Sequence, residues 1–240
     1  MARSSTTPFV ISNSCGYTVW PGVLSSTQIL ESGGFTLEPG QVLSMEVPAG
    51  WSGRLWGRTG CTFNSDGIGS CVTGDCDGKL QCNGMGADPP ATLVEFTLHS
   101  TAGGQDFYDV SLVDGYNVPM AVGPSSVNTN NTSMECGVAS CAADINKVCP
   151  SSLQVLDGSE NGVVSCKSAC LAFGTTEYCC SGAYANPNTC TPSSYSQIFK
   201  AACPTAYSYA YDDPTSTFTC ATATSYLITF CPADTLTSST

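Results

Sequence analysis

Sixteen cysteines in a chain of 240 residues constrain the fold more than any other feature of this sequence. Cytosolic thiols are kept reduced, so this density of cysteine predicts a disulfide-bonded protein made for an oxidising compartment, which means a secreted protein. The count is even, so eight disulfides can form with no thiol left over. Because Cys179 and Cys180 are adjacent, we expect them to pair with different partners and to join two loops at one point.

The charge of the chain excludes several kinds of partner. Its formal net charge is −12, so nucleic acids and anionic membrane surfaces would repel it. No stretch approaches the ~18 uninterrupted apolar residues of a membrane-spanning helix. The first seven residues lack an apolar segment, and we therefore interpret the chain as a mature sequence whose secretory signal peptide has been removed.

Short apolar or alternating runs, separated by Gly, Pro, Asn and Ser, dominate the first half of the chain and predict β-strands. The predicted strands are residues 9–13, 17–20, 34–37, 42–47, 53–59, 92–98, 105–112, 216–220 and 226–231. Many short strands with turn signals favour a mainly β fold, either a sandwich or a barrel.

Two cysteine-rich segments interrupt the strand pattern. Between Cys61 and Pro90 the composition shifts to Gly, Asp and Cys, which indicates a small disulfide-bonded excursion. Nine cysteines lie from Cys136 to Cys203, in a loop-rich segment with modest helix content. The helices predicted there are residues 140–149 with Ser140 as N-cap, residues 165–173 and residues 195–203.

Most catalytic chemistry is excluded by what the sequence lacks. The one histidine, His99, ends a predicted strand beside a glycine-rich turn, where we expect it on the solvated surface. A cysteine nucleophile needs a free thiolate, and all sixteen cysteines are interpreted as bridged. An oxidising compartment disfavours a zinc site on Cys166 and Cys170, and no glycine-rich nucleotide loop joins a strand to a helix. We therefore expect no metal and no cofactor.

Carboxylates are the remaining side chains that can carry chemistry. Glu95, Asp109 and Asp114 fall in or just after two consecutive predicted strands, and Asp212 and Asp213 follow a tyrosine-rich run. Paired carboxylates serve as general acid and as nucleophile or base in glycoside hydrolysis, and they also bind sugar hydroxyls without catalysis. Acidic residues of an acidic protein also simply cover solvated faces, and the residues alone leave these alternatives open.

The segment from Gly67 to Cys82 contains the frame Gly-x-Gly-x-Cys-x-Thr-Gly-Asp-Cys. In this motif the chain resembles the plant thaumatin-like, pathogenesis-related proteins. Further runs extend the resemblance over nearly the whole chain, at residues 17–20, 56–59, 89–96, 106–115, 177–180 and 212–220.

The resemblance implies a flattened β-sandwich with two disulfide-rich additions. The implied sandwich core comprises residues 8–58, 91–140 and 204–233; the disulfide-rich subdomain with short helices is 141–203, and the small two-disulfide loop is 59–90. The implied bridges are Cys15–Cys231, Cys61–Cys71, Cys76–Cys82, Cys136–Cys220, Cys141–Cys203, Cys149–Cys166, Cys170–Cys179 and Cys180–Cys190.

Antifungal members of the family have an Arg-Glu-Asp-Asp-Asp quintet that lines an acidic cleft. The matching residues are Arg54, Glu95, Asp109, Asp114 and Asp212. Asp213 follows Asp212 directly in the sequence and is the alternative to Asp212 as the fifth residue of the quintet. The resemblance thus implies a monomeric plant defence protein of the apoplast or vacuole that binds β-1,3-glucan or another fungal wall polysaccharide in this cleft. Tyr108 or Tyr116 would stack on the faces of the sugar rings.

Two other functions stay open. One is a weak endo-β-1,3-glucanase in which Glu95, on a strand among apolar residues, is the general acid. Asp109 or Asp114, nearer polar turns and ionised, would then be the nucleophile or base. The other is a non-catalytic protein that permeabilises membranes or binds a protein receptor, although a net charge of −12 argues against direct insertion into an anionic membrane.

Two loops are expected to be longer than in the most compact family members, residues 24–34 and residues 128–133. The second contains two overlapping N-glycosylation sequons, at Asn130 and Asn131, for which a chance match is the alternative. We expect these loops to reshape the rim of the cleft or to carry glycan. The acidic charge argues against the sweet taste of the basic family members.

Overall fold

The computed structural model describes residues 6–101, 104–125, 134–158 and 162–233. The strands in these residues are, in chain order, β1 (Thr6–Asn13), β2 (Trp20–Ser25), β3 (Val42–Pro48), β4 (Ser52–Arg58), β5 (Thr62–Phe63), β6 (Gly69–Ser70), β7 (Leu93–Thr97), β8 (Asp106–Ser111), β9 (Met120–Pro124), β10 (Ala139–Cys141), β11 (Gln154–Leu156), β12 (Val163–Cys166), β13 (Phe218–Cys220) and β14 (Tyr226–Phe230). The α-helices are α1 (Ala169–Phe173), α2 (Ser194–Ala202) and α3 (Asp213–Ser216), and short 3-10 helices lie at Glu31–Gly33, Ile145–Val148 and Gly182–Tyr184.

Two five-stranded sheets form a β-sandwich, which confirms the predicted mainly β fold. The first sheet has the strand order β10-β9-β14-β1-β3 and the second has the order β13-β8-β7-β4-β2. β1 and β14, from opposite ends of the chain, pair in parallel, and the other neighbouring strands pair antiparallel. β11 with β12 and β5 with β6 form separate two-stranded sheets.

Aromatic side chains from both sheets fill the space between them. The rings of Phe9 in β1 and Phe96 in β7 lie 4.3 Å apart, and those of Tyr108 in β8 and Tyr226 in β14 lie 5.1 Å apart. Because side chains alternate along a strand, this core fixes which residues of β7 and β8 point away from it. The outward residues of β7 and β8 form part of the candidate functional site.

The small loop of residues 59–90 packs on the outer face of the second sheet. Trp56 and Leu93 from that face are buried together with Cys76 and Cys82 of the loop. The indole N–H of Trp56 donates a hydrogen bond to the Gly74 carbonyl oxygen at 2.8 Å. The loop therefore covers the Trp56 end of β4 and leaves the other end of that face open.

All sixteen cysteines are bridged, and the eight pairs are those that the resemblance implied. The disulfides are Cys15–Cys231, Cys61–Cys71, Cys76–Cys82, Cys136–Cys220, Cys141–Cys203, Cys149–Cys166, Cys170–Cys179 and Cys180–Cys190. The first of them joins residues separated by 216 positions and so ties the two ends of the sandwich together.

Reduction should abolish the fold. Each bridge contributes about 2–4 kcal/mol by restricting the unfolded chain, while the whole stability of a domain is about 5–15 kcal/mol. We expect thiol titration in denaturant without reductant to give no free thiol, and the cooperative thermal transition to disappear after reduction. A titrating thiol would contradict the pairing, and an unchanged melting temperature in reductant would show that the bridges contribute little.

Local sequence signals placed several elements wrongly, and the strand predicted at 17–20 shares only Trp20 with β2 (Trp20–Ser25). Residues 140–149 do not begin a helix at Ser140, because the backbone of Ser140 lies in β10 and bonds the Thr205 hydroxyl group. The predicted helix at 165–173 begins later, at Ala169, where Ser168 caps the backbone N–H of Leu171. The predicted strand at 34–37 makes only isolated bridges. The helix predicted at 195–203 is confirmed as α2.

No helix among the described residues is long and apolar enough to cross a membrane.

His99 is not on the solvated surface, so that expectation is wrong. Its side chain is 9% exposed, and its Nδ1 lies 2.6 Å from Oδ1 of the fully buried Asp106. The other carboxylate oxygen of Asp106 accepts a hydrogen bond from the Tyr226 hydroxyl at 2.8 Å. A buried carboxylate needs such partners, so His99 and Tyr226 stabilise Asp106 where the two sheets meet.

Candidate functional site

A row of charged side chains crosses the outer face of the second sheet. In the strand register, Arg54 of β4 pairs with Glu95 of β7, and Glu95 pairs with Asp109 of β8. Val94 and Phe96, the neighbours of Glu95 in β7, are buried in the core, so Glu95 points to the opposite face. We call Arg54, Glu95 and Asp109 the acidic row. Directly opposite residues of antiparallel strands have Cβ atoms about 4.5–5.5 Å apart, which is close enough for the three side chains to interact.

The acidic row forms the floor of a cleft made of two adjoining cavities. The smaller one, of about 350 Å³, lies between the row and the segment 207–213, and Asp114 and Asp213 line it. The larger one, of about 470 Å³, extends the other way along the strands. Arg54 is the cation of the cleft lining, and its Nη1 lies 4.0 Å from Asp114 Oδ2. The cleft thus brings together four of the predicted carboxylates and the predicted arginine.

Asp213 lines the cleft and Asp212 does not. Asp212 is 9% exposed and forms an ion pair of 2.9 Å with Lys200 of α2. It also accepts hydrogen bonds from the backbone N–H and the hydroxyl of Ser208. The prediction of Asp212 as a ligand-binding residue is therefore wrong, since its carboxylate anchors the start of α3 to α2. Asp213, one residue later, is exposed, and its Oδ1 accepts a hydrogen bond from the Tyr207 hydroxyl at 3.0 Å.

The two tyrosines predicted to stack on sugar rings are buried in the core. Tyr108 is 1% exposed and donates its hydroxyl hydrogen to the Gly137 carbonyl oxygen, while Tyr116 is 0% exposed. Neither ring can therefore meet a ligand. Two other aromatic residues line the cleft with accessible rings: half-buried Tyr207 lines the smaller cavity, and Phe107, which is 45% exposed, lines the larger one. Strand alternation gives the signal for it, because Phe107 shares the outward face of β8 with Asp109.

Burial changes the protonation of the acidic row. The pKa of Glu95 is raised by burial, with Asp114 adding to the rise and Arg54 opposing it. Burial, and then the charges of Glu95 and Asp213, raise the pKa of Asp109 to about 8. Asp109 lies inside β8 rather than near a polar turn, so the expectation that it stays ionised is wrong. At neutral pH this side chain is largely a neutral carboxylic acid.

One buried oxygen in the cleft lacks a partner. Oδ1 of Asp109 is inaccessible to solvent and makes no hydrogen bond to any described residue. A buried polar atom without a partner costs about 1–3 kcal/mol, so such atoms are rare in folded proteins. In the described residues no group of His, Cys, Asp and Glu side chains has an arrangement that holds a metal ion.

The first expected long loop contributes to the rim of the cleft. Leu24, Ser25 and Ser26 line the larger cavity. The Trp51 indole N–H donates a hydrogen bond to the Gln28 carbonyl oxygen at 2.9 Å, which fixes the loop against the sheet. The second loop, with Asn130 and Asn131, lies outside the described residues.

The profile of the thaumatin family matches residues 13–232 of this chain. The chain belongs to the thaumatin family. It is 53% identical over 233 residues to the pathogenesis-related thaumatin-like protein 3.5 of Cryptomeria japonica, covering 96% of this chain and 92% of that protein. It is 56% identical to the thaumatin-like protein 1 of Arabidopsis thaliana, and the alignment covers 93% of this chain and 85% of that protein. It is also 56% identical to the pathogenesis-related protein 5 of the same plant, with 94% of this chain and 90% of that protein covered.

This membership supports a role in plant defence, because the thaumatin-like relatives are named pathogenesis-related proteins. The eight disulfides of this thaumatin-family chain also fit secretion. The family therefore accounts for the scaffold and for the broad role, while the chemistry of the cleft depends on the residues that line it.

Proposed function

We propose that this chain is a secreted plant defence protein that binds β-1,3-glucan of fungal cell walls in the acidic cleft. The observation that carries the proposal is the acidic row at the floor of an open cleft, with Asp114 and Asp213 on one side of it. A neutral polysaccharide approaches a chain of net charge −12 without repulsion, whereas an acidic polymer does not.

The cleft offers sugar hydroxyls both donors and acceptors. The Arg54 guanidinium only donates hydrogen bonds, and an ionised carboxylate such as Asp213 only accepts them. Asp109 in its neutral form adds a hydroxyl donor to this set. A sugar hydroxyl does both at once, so a ring with several hydroxyls matches this mixed set better than a simple anion or cation does.

The test removes two acceptors from the cleft and compares the result with an equal change elsewhere. Glu95→Gln combined with Asp213→Asn keeps size and polarity but removes the charges. Hydrogen bonds to charged groups contribute about 1.5–3 kcal/mol each, so binding to β-1,3-glucan oligosaccharides should weaken about 100-fold or more by titration calorimetry.

The matched control is Glu38→Gln combined with Asp88→Asn. Both residues are exposed and line neither cavity of the cleft, and the formal charge changes by the same amount. This variant should bind like the wild type. Equal losses in the two double variants, or no binding by the wild type, would contradict the proposed function.

A weak endo-β-1,3-glucanase is the second candidate, and one observation favours it. Glu95 and Asp109 are direct cross-strand partners in β7 and β8, so two carboxyl groups lie side by side, and glycoside hydrolysis uses such a pair. The roles would be the reverse of the predicted ones: Asp109, the neutral acid, would protonate the leaving oxygen, and Glu95 beside Arg54 would be the nucleophile. Release of reducing sugar from linear β-1,3-glucan separates this candidate from binding alone.

A further inference from the structure

The two cavities of the cleft differ in chemistry. Asp114 and Asp213 line the smaller cavity, so the carboxylates concentrate there. Among the described residues, the lining of the larger cavity has no charged side chain beyond the acidic row, and its walls include Leu24, Ser26 and Phe107. The acidic row therefore lies between a charged half and a neutral half of one continuous groove.

A second cross-strand row forms the floor of the neutral half. Ser52 of β4 pairs with Thr97 of β7, and Thr97 pairs with Phe107 of β8. The hydroxyls of Ser52 and Thr97 lie 3.2 Å apart, and the Phe107 side chain is 45% exposed. We call these three residues the neutral row. Each stands two positions along its strand from a member of the acidic row, which at about 3.3 Å per residue separates the rows by about 7 Å.

We propose that the neutral row is a separate sugar subsite, in which the Phe107 ring stacks on a pyranose ring and the hydroxyls of Ser52 and Thr97 bond its edge. This inference rests on the proposed function and extends it. An exposed phenyl ring offers no hydrogen bond, so its natural partner is a flat apolar face, such as the C–H face of a β-linked glucose unit. The spacing of about 7 Å between the rows allows neighbouring parts of one glycan chain to contact both rows.

A glycan that fills both rows crosses the acidic row instead of ending at it. The affinity should therefore rise with chain length until the glycan occupies both halves of the groove. Short oligosaccharides that occupy only the charged half should gain nothing from Phe107. The dependence of affinity on length is the property that distinguishes a subsite from a general effect on the fold.

Titration calorimetry with linear β-1,3-gluco-oligosaccharides of two to six glucose units tests this subsite. Phe107→Ala should bind the longest oligosaccharide about 3- to 10-fold more weakly than the wild type, the range expected for loss of one aromatic stacking contact. Its affinity for the disaccharide should be unchanged. Phe107→Tyr keeps the ring and should bind like the wild type at every length.

Phe173→Ala is the control, because Phe173 is 41% exposed but lies in α1 and lines neither cavity. It should leave binding unchanged at all lengths. If the wild type binds the oligosaccharides and Phe107→Ala binds them equally well, the subsite is overturned and the proposed function stays intact. The same holds if Phe107→Ala loses the same affinity at every oligosaccharide length. A wild type that binds none of the oligosaccharides would overturn both.

Discussion

Replacing Arg58 with methionine should lower the free energy of unfolding by about 2–5 kcal/mol. The Arg58 side chain is fully buried, and its guanidinium donates hydrogen bonds to the carbonyl oxygens of Trp20, Lys79 and Leu80 at 2.7–2.8 Å. It thus joins β2 to the small loop of residues 59–90. Methionine fills a similar volume but leaves these acceptors without a donor, and each hydrogen bond to a charged group contributes about 1.5–3 kcal/mol.

An opposing effect limits the loss. Burial lowers the pKa of Arg58 to about 10, because the charged guanidinium is poorly solvated in the folded state. The buried charge therefore destabilises the folded state and opposes the hydrogen bonds. Methionine removes this poorly solvated charge, which offsets part of the loss, and the three hydrogen bonds together outweigh that gain.

Guanidinium denaturation with intact disulfides measures the change, and hydrogen exchange should show that the loop is destabilised more than the sandwich. Lys147→Met is the control, because the Lys147 side chain is 80% exposed and its loss should change stability by about 0.5 kcal/mol or less. Arg58→Met with wild-type stability would show that the carbonyl groups find other partners.

The pattern of short strands was enough to predict a mainly β fold, whereas the residues of the cleft were predicted from the resemblance to the thaumatin-like family. Glu95 and Asp109 lie in strands whose alternate residues are buried, so their common face follows from the period of two. The central strand β9 was not predicted, because all of its residues, Met120–Pro124, are buried. A strand buried on both faces does not alternate, and prolines close to it resemble turn signals.

Contacts between segments that are separated in the chain determine two features that the local sequence did not predict, the orientation of Asp212 and the strand at Ser140. Asp212 and Asp213 are adjacent acids in the same run, and the carboxylate of Asp212 turns inward because Lys200 of α2 lies beside it. Ser140 is a good N-cap by residue type, but Thr205 binds its backbone and holds it in a strand. Such pairings join residues far apart in the chain, and local propensity is overridden by them.

Asp109→Asn should stabilise the protein at neutral pH, although it alters the centre of the cleft. The pKa of Asp109 is raised to about 8 in the folded state, whereas an unfolded aspartate has a pKa of about 3.9. The folded state therefore holds the proton more tightly, and stability falls as the pH rises from about 4 to about 8. Asparagine does not ionise, so the variant should be more stable than the wild type by about 2–4 kcal/mol at pH ~7 and equal to it near pH ~4.

Urea denaturation of both proteins across this pH range measures the difference, with Asp88→Asn as the exposed control. A difference that is constant with pH, or a variant that is less stable at pH ~7, would show that Asp109 ionises freely in the folded protein. The same substitution should change glucan binding little, because the asparagine amide offers a donor and an acceptor, as a neutral carboxylic acid does. Unchanged binding together with higher stability at pH ~7 would indicate that Asp109 meets the ligand in its neutral form, whereas a large loss of binding would indicate that the ligand needs the ionised carboxylate.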